Sequence, residues 1–98
     1  MNIKKKTEGG VLNIGLEGRL DTTTAPILEE ELNSSLKGVK ELILDFEELE
    51  YLSSAGLRVI LDAQKVMSKQ GKMAIKNVNE TIMEVFEVTG FIDILTIE

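Results

Sequence analysis

Two adjacent serines, Ser53 and Ser54, are the residues of this chain best placed for chemistry. They precede Ala55, Gly56 and an amphipathic run that begins at Leu57, and serine commonly caps a helix at such a position. Small neighbours leave a serine hydroxyl accessible, and the first turn of a helix tolerates negative charge because its N–H groups are free. The pair is therefore interpreted either as a structural cap or as a phosphorylation switch, in which a phosphate adds about −1.5 to −2 charges.

Composition excludes several kinds of catalysis. The 98 residues contain no histidine and no cysteine, which removes histidine general bases, thiolate nucleophiles and disulfides. The segment Gly15–Gly18 lacks both the spacing and the lysine of a phosphate-binding loop. No cluster of residues has metal-ligand spacing. The sequence therefore predicts a protein that is not an enzyme and that holds no metal or cofactor.

Charge and composition describe a small globular protein. Hydrophobic residues make up 43% and charged residues 29% of the chain, so residues 1–98 are predicted to form a single domain. The 11 basic and 17 acidic side chains leave a net charge of −6. This sign disfavours nucleic acid and anionic membranes as partners, since both need a basic surface. No apolar run could span a bilayer and no signal peptide is recognisable, which predicts a cytoplasmic protein.

Hydrophobic spacing alternates between the periods of strand and helix along the chain. The predicted strands are Asn2–Thr7, Val11–Glu17, Glu41–Phe46 and Lys72–Lys76, and the predicted helices follow Pro26, Ser54 and Asn79 and end at Gly38, Gly71 and Gly90. This alternation implies crossover connections and parallel pairing in at least part of one sheet.

Three segments carry more detailed expectations. The unbroken apolar run Leu42–Leu44 is typical of a strand that is buried on both faces, and it is placed at the centre of the sheet. Residues 47–52 are interpreted as a connection that turns Leu49 and Leu52 inward. The apolar tail Phe91–Ile97 is expected to be packed, and this tail and the first strand are the two candidates for an interface.

Together these segments resemble the STAS domain of bacterial anti-sigma factor antagonists. The main likeness lies in Asp45–Leu61, where a central strand and a short connection lead to the Ser53–Leu57 motif at the start of a helix. The segment Gly18–Asp21 resembles the family's element at the end of the second strand, and Phe86–Phe91 resembles its closing segment. The resemblance extends over residues 3–97 and rests on the order and spacing of these elements.

The resemblance implies an α/β fold, with a single small mixed β-sheet of about four to five strands and helices packed mainly on one side. It also implies the function of an anti-sigma factor antagonist. The unphosphorylated form would bind an anti-sigma factor that is also a serine kinase, so that a sigma factor is freed. The kinase would then use ATP to phosphorylate the antagonist, and a serine phosphatase would reset the cycle.

The same resemblance implies which residues form the site. Alignment on Gly56 and Leu57 assigns the phosphorylated residue to Ser54, and Ser53 remains the alternative because it replaces a frequent aspartate. Arg58 either pairs with the phosphate or with an acidic partner, or is a solvated surface charge. The partner-binding residues so implied are Asp21, Thr22, Thr23, Ser53, Ser54, Ala55, Gly56, Leu57 and Arg58.

Two other functions compete with this hypothesis. A STAS domain can act as an adaptor subunit in a lipid-transport or stress-signalling complex, without a phosphorylation switch. An unrelated small hydrolase or nucleotide-binding protein is the third hypothesis, and saturable nucleotide binding in the absence of any partner would favour it.

Overall fold

Four strands, three α-helices and one short 3-10 helix make up the computed structural model, which describes residues 1–98. In chain order they are β1 (Asn2–Glu8), β2 (Val11–Leu20), α1 (Ala25–Ser35), β3 (Glu41–Leu52), α2 (Ser54–Gln70), β4 (Lys72–Lys76), α3 (Glu80–Thr89) and the 3-10 helix Phe91–Asp93. No helix among them is long and apolar enough to cross a membrane.

The strands form one mixed sheet in the order β1-β2-β3-β4. β1 pairs with β2 in the antiparallel direction across the tight turn at Gly9 and Gly10. The β2–β3 and β3–β4 pairs are parallel, because α1 and α2 each return the chain to the same end of the sheet. The predicted α/β class, the mixed sheet and the parallel pairing are confirmed.

The core lies on one face of this sheet. Leu12, Ile14 and Leu16 are buried at every second position of β2, and they join a single cluster of 24 buried residues that includes residues of β2, β3, β4 and all three helices. The helices therefore pack on one side, as predicted. Ile43 points to the other face and is only half-buried, so the expectation that β3 is buried on both faces is wrong, although β3 is central.

β3 is longer than the sequence predicts. Residues 47–52 continue the strand rather than forming a connection, although Leu49 and Leu52 do point inward as expected. Two register irregularities against β2, between Gly15 and Glu17 and between Gly18 and Arg19, explain the change of spacing. A bulge of this kind breaks the period of two and increases the twist of the strand.

The predicted helix ends are correct at two of three glycines. α1 ends at Ser35 with Leu36 as its C-cap, so Gly38 lies beyond the helix. Gly71 ends α2 in an extended conformation, and it must be glycine because a Cβ there would collide with the backbone carbonyl of Lys40. Gly90 ends α3 with a left-handed φ of 79°, which a residue without Cβ adopts at little cost.

The C-terminal tail is only partly packed. Leu95 is buried, and Ile97 forms an isolated parallel bridge with Ile75 at the edge of the sheet. Ile92 and Ile94 are exposed. The expectation that the whole apolar tail is packed is therefore wrong, because the 3-10 helix turns these two side chains away from the core.

Candidate functional site

The two serines at the start of α2 have different structural roles. Ser53 is the N-cap, in an extended conformation, and its hydroxyl oxygen accepts a hydrogen bond from the Gly56 N–H at 3.2 Å. Ser54 is the first helical residue, is exposed and makes no side-chain hydrogen bond. The capping function that the sequence left open between the two residues therefore belongs to Ser53.

Gly56 and Leu57 position this turn and are not surface residues. Both are buried, and a Cβ at Gly56 would lie 2.7 Å from Leu20 Cγ and 2.8 Å from Leu52 Cδ1. The Ser53 N–H also donates to the Leu20 carbonyl at 2.9 Å. Gly56 and Leu57 therefore hold the first turn of α2 against the end of β2, and in the free chain they present little surface to a partner.

Asp21 orders the loop that follows β2. Its carboxylate accepts hydrogen bonds from the Thr23 hydroxyl at 2.7 Å and from the backbone N–H groups of Thr23 and Thr24 at 3.0 and 3.1 Å. The Thr23 hydroxyl is the main reason that the pKa of Asp21 is lowered, and partial burial opposes this effect. The loop is thus held by the side chain that the sequence assigned to a binding surface.

The Asp21 loop and the first turn of α2 lie side by side. A shallow depression between the starts of α1 and α2 is lined by Thr22 from the loop and by Ala55 and Arg58 from α2. Thr22, Thr23 and Arg58 are exposed, and Arg58 takes part in none of the ion pairs. The structure therefore brings together the two segments that the sequence singled out.

Two further residues adjoin Asp21 and were not predicted as site residues. Arg19 lies opposite Tyr51 in the parallel register, and its guanidinium stands 4.1 Å from the centre of the Tyr51 ring. The Arg19 Nε is also 3.7 Å from the Asp21 carboxylate. The signal in the sequence is that each residue stands two positions before a site residue, at the end of a neighbouring strand. A cation stacked on an aromatic ring is a common element of binding surfaces.

The arrangement offers hydroxyl groups, one aromatic ring and two guanidinium groups rather than a set of metal ligands. No group of three or more carboxylates is arranged to hold a metal ion. Asp21 shares no hydrogen bond with either serine. The exposed Ser54 hydroxyl is therefore accessible to a group from another molecule.

Comparison with known proteins finds one matching family model and several related sequences. A family model described as the STAS domain matches residues 2–98. BtrV of Bordetella bronchiseptica is 37% identical over 90 residues, which cover 90% of this chain and 78% of BtrV. The anti-sigma-B factor antagonist of Bacillus subtilis is 28% identical over 98 residues, which cover 99% of this chain and 90% of that protein.

Solved structures show the same fold. The anti-sigma factor antagonist SpoIIAA in its unphosphorylated form has a TM-score of 0.85 at 19% identity, covering 99% of this chain and 88% of SpoIIAA. The phosphorylated form from Bacillus has a TM-score of 0.77, also at 19% identity, covering 99% of this chain and 91% of that one. The family match over nearly the whole length, with the 37% identical relative, shows that this chain belongs to the STAS domain family.

Proposed function

We propose that residues 1–98 act as one STAS domain in the cytoplasm, where they serve as an anti-sigma factor antagonist switched by phosphorylation of Ser54. The unphosphorylated form binds an anti-sigma factor that is also a serine kinase, and this binding frees a sigma factor. The observation that carries the proposal is the exposed, unpartnered hydroxyl of Ser54 at the first position of α2. The names of the relatives support the partner class, and SpoIIAA is known in phosphorylated and unphosphorylated forms.

The geometry favours Ser54 over Ser53 as the phosphorylated residue. Phosphorylation of Ser53 would replace the hydroxyl that caps α2 and would place a bulky group beside Gly56, which is buried. Ser54 needs no such rearrangement, because its side chain already faces solvent and holds no backbone group in place.

The phosphoryl transfer requires chemistry that the partner supplies. The Ser54 Oγ attacks the γ-phosphorus of ATP bound to the kinase, so an O–P bond forms as the bond to the ADP oxygen breaks. The hydroxyl proton passes to a base of the kinase, and ADP leaves. A serine phosphatase later lets water attack the phosphorus, which restores the hydroxyl and releases inorganic phosphate. In this proposal the chain is a substrate and a binding module, and it is not an enzyme.

Release of the partner follows from the added charge. An uncompensated charge enclosed in an interface costs about 3 to 5 kcal/mol. Each 1.4 kcal/mol is about tenfold in affinity, so phosphorylation is expected to weaken binding by roughly two to four orders of magnitude. The net charge of −6 adds to the repulsion of an acidic partner, although salt screens this longer-range part.

The binding surface in this proposal combines both segments of the site. Asp21, Thr22 and Thr23 contribute the loop, and Ala55 and Arg58 contribute the exposed side of α2 next to Ser54. Asp21 acts mainly by holding the loop, because its carboxylate is engaged with two threonines. Gly56 and Leu57 act from the core.

The proposal is tested by affinity capture from the source organism with three baits: Ser54→Ala, Ser54→Asp and a form carrying phosphoserine at position 54. We expect the alanine bait to retain an ATP-dependent serine kinase, the phosphoserine bait to lose it, and the aspartate bait to bind weakly. The captured kinase and ATP should phosphorylate the wild-type protein at Ser54, as mapped by mass spectrometry.

Ser53→Ala is the matched control, because it removes the neighbouring hydroxyl and should still accept phosphate at position 54. Phosphorylation of the Ser54→Ala variant, or its loss from Ser53→Ala alone, would assign the switch to Ser53. Retention of the same multi-subunit assembly by all three baits would contradict the switch and favour the adaptor function.

A further inference from the structure

The negative charge of this protein is concentrated at its C-terminal end. Residues 77–98 carry five carboxylate side chains and no Lys or Arg, whereas residues 1–76 carry 11 basic and 12 acidic side chains and are nearly neutral. None of the four ion pairs in the structure involves a residue from this end. These carboxylates are Glu80, Glu84, Glu87, Asp93 and Glu98.

The same end exposes apolar side chains that the fold does not use. Val88 is 81% exposed, Ile94 53% and Ile92 38%, so three of the six large exposed hydrophobic residues lie within seven positions. We call this surface, formed by the outer side of α3 and residues 91–98, the C-terminal face. Val88 contributes no burial to the core, and valine is a weak helix former at an exposed position.

α3 is anchored without these residues. Ile82 and Phe86 are fully buried, and the Phe86 ring packs 6.5 Å from the Phe46 ring, measured between centroids. Asn79 caps the helix and donates to the Leu49 carbonyl at 3.0 Å. The inner side of α3 therefore accounts for its packing, which leaves the composition of the outer side unexplained by stability.

The outer side of α3 carries two adjacent depressions. One depression is lined by Val78, Glu80, Met83, Glu84 and Glu87. A second is lined by Thr81, Glu84, Val85, Val88 and Thr89, so that Glu84 lies between the two. Each depression combines apolar side chains with at least one carboxylate, which is the pattern needed to receive side chains that are apolar in part and basic in part.

The charge of the C-terminal face decides which occupant fits. A two-fold contact between copies of this chain would bring together twice the five carboxylates, which like-charge repulsion opposes. Nucleic acid and anionic lipid are repelled for the same reason. We propose that the C-terminal face is a docking surface for a basic amphipathic segment of a partner protein, separate from the Ser54 site. The two surfaces share no lining residue.

The test is a titration of the isotope-labelled protein with a synthetic amphipathic helix of leucine and lysine, followed by nuclear magnetic resonance. A matched peptide carries glutamate in place of lysine. We expect the lysine peptide to shift amide signals of α3 and residues 91–98, and we expect its binding to weaken with added salt. The glutamate peptide should not bind. The test uses no kinase and no phosphate, so its outcome is independent of the proposed switch.

Matched variants distinguish specific binding at the C-terminal face from non-specific electrostatic attraction to an acidic protein. Val88→Ser should weaken peptide binding about tenfold, the equivalent of one buried apolar side chain. Val66→Ser is the control, since Val66 is 43% exposed on α2. Glu84→Gln with Glu87→Gln should weaken binding, whereas Glu29→Gln with Glu30→Gln on α1 should not.

Three results would overturn the proposal. The first is a set of signal shifts that extends over α1 and β3 rather than being confined to the C-terminal face. The second is an equal effect of Val88→Ser and Val66→Ser. The third is concentration-dependent self-association that Val88→Ser abolishes, which would identify the occupant as a second copy of this chain.

Discussion

Ser53 stabilises the first turn of α2 through its side chain, because its oxygen accepts a Gly56 N–H that has no partner within the helix. Ser54 follows by one residue and holds nothing in place. In the proposed function, this difference would let Ser54 be phosphorylated while Ser53 maintains the start of the helix.

Stability measurements should distinguish the two serines. Ser53→Ala removes the cap and is expected to lower the free energy of unfolding by about 1 kcal/mol. Ser54→Ala is expected to change it by less than about 0.5 kcal/mol, as is usual for an exposed position without contacts. The measurement is urea denaturation of both variants and the wild type, with the same dependence of the unfolding free energy on urea concentration used for all three. A larger loss for Ser54→Ala than for Ser53→Ala would show that the cap has been assigned to the wrong residue.

At this scale the sequence predicted the positions of the site better than the roles of its residues. Spacing pointed to the serine pair at the start of a helix, and the resemblance to the STAS family singled out Ser54 and Asp21. The burial of Gly56 and Leu57 depends on Leu20 reaching across from another strand. Such a contact is not visible in local spacing.

Two strands, β2 and β3, place a pair of carboxyl groups opposite each other. Glu17 and Glu48 are partners in the parallel register. Interaction between the two carboxyl groups raises the pKa of Glu48 and lowers that of Glu17, because a protonated Glu48 can donate a hydrogen bond to an ionised Glu17. Asn2 Nδ2 at 2.8 Å and Lys4 Nζ at 3.5 Å further favour the ionised form of Glu17. β1 thus helps to hold an acidic pair together across the bulged part of the sheet.

This pair predicts a pH-dependent effect of Glu48→Gln. The raised pKa of Glu48 stabilises the fold at low pH, and this contribution is lost as pH rises through that pKa. The lowered pKa of Glu17 contributes above its ordinary value of 4.5 and is lost as pH falls further. A glutamine keeps a donor toward Glu17 at neutral pH, where the wild type has two repelling carboxylates.

We therefore expect Glu48→Gln to raise the melting temperature at neutral pH, and we expect the difference to shrink as pH falls toward 4.5. Thermal unfolding at a series of pH values measures this. Glu50→Gln removes one charge from the same strand outside the pair and serves as the control. A constant difference at all pH values, or an equal gain from Glu50→Gln, would contradict the pairing.

The elements were predicted in the right order and with the right pairing, but not with the right lengths. Alternation of Leu12, Ile14 and Leu16 identifies β2, and the turn residues between elements identify the crossovers. The bulges near Gly15 and Gly18 were not predictable, because they arise from pairing between β2 and β3 rather than from either strand alone. For this reason the second half of β3 was interpreted as a connection.

Phosphorylation would act on the whole molecule through charge rather than through a change of fold. Ser54 lies outside the buried cluster of 24 residues and makes no side-chain hydrogen bond. A phosphate there would shift the net charge from −6 to about −8. The new charge would lie beside the free N–H groups of α2, which tolerate it, while the strands and the opposite end of the molecule keep their contacts.

The corresponding prediction concerns the protein with phosphoserine installed at position 54 during translation. Its amide signals in nuclear magnetic resonance should differ from those of the wild type only around residues 19–24 and 51–58, which form the site. Signals from β4 and α3 should coincide in the two forms, because no buried contact is altered. Shifts that extend into β4 and α3 would instead indicate that the switch works by rearranging the core. In that event Ser54→Asp, which adds a smaller charge, should show the same pattern of shifts at lower amplitude. Electrostatic repulsion at the interface would then no longer explain the release of the partner.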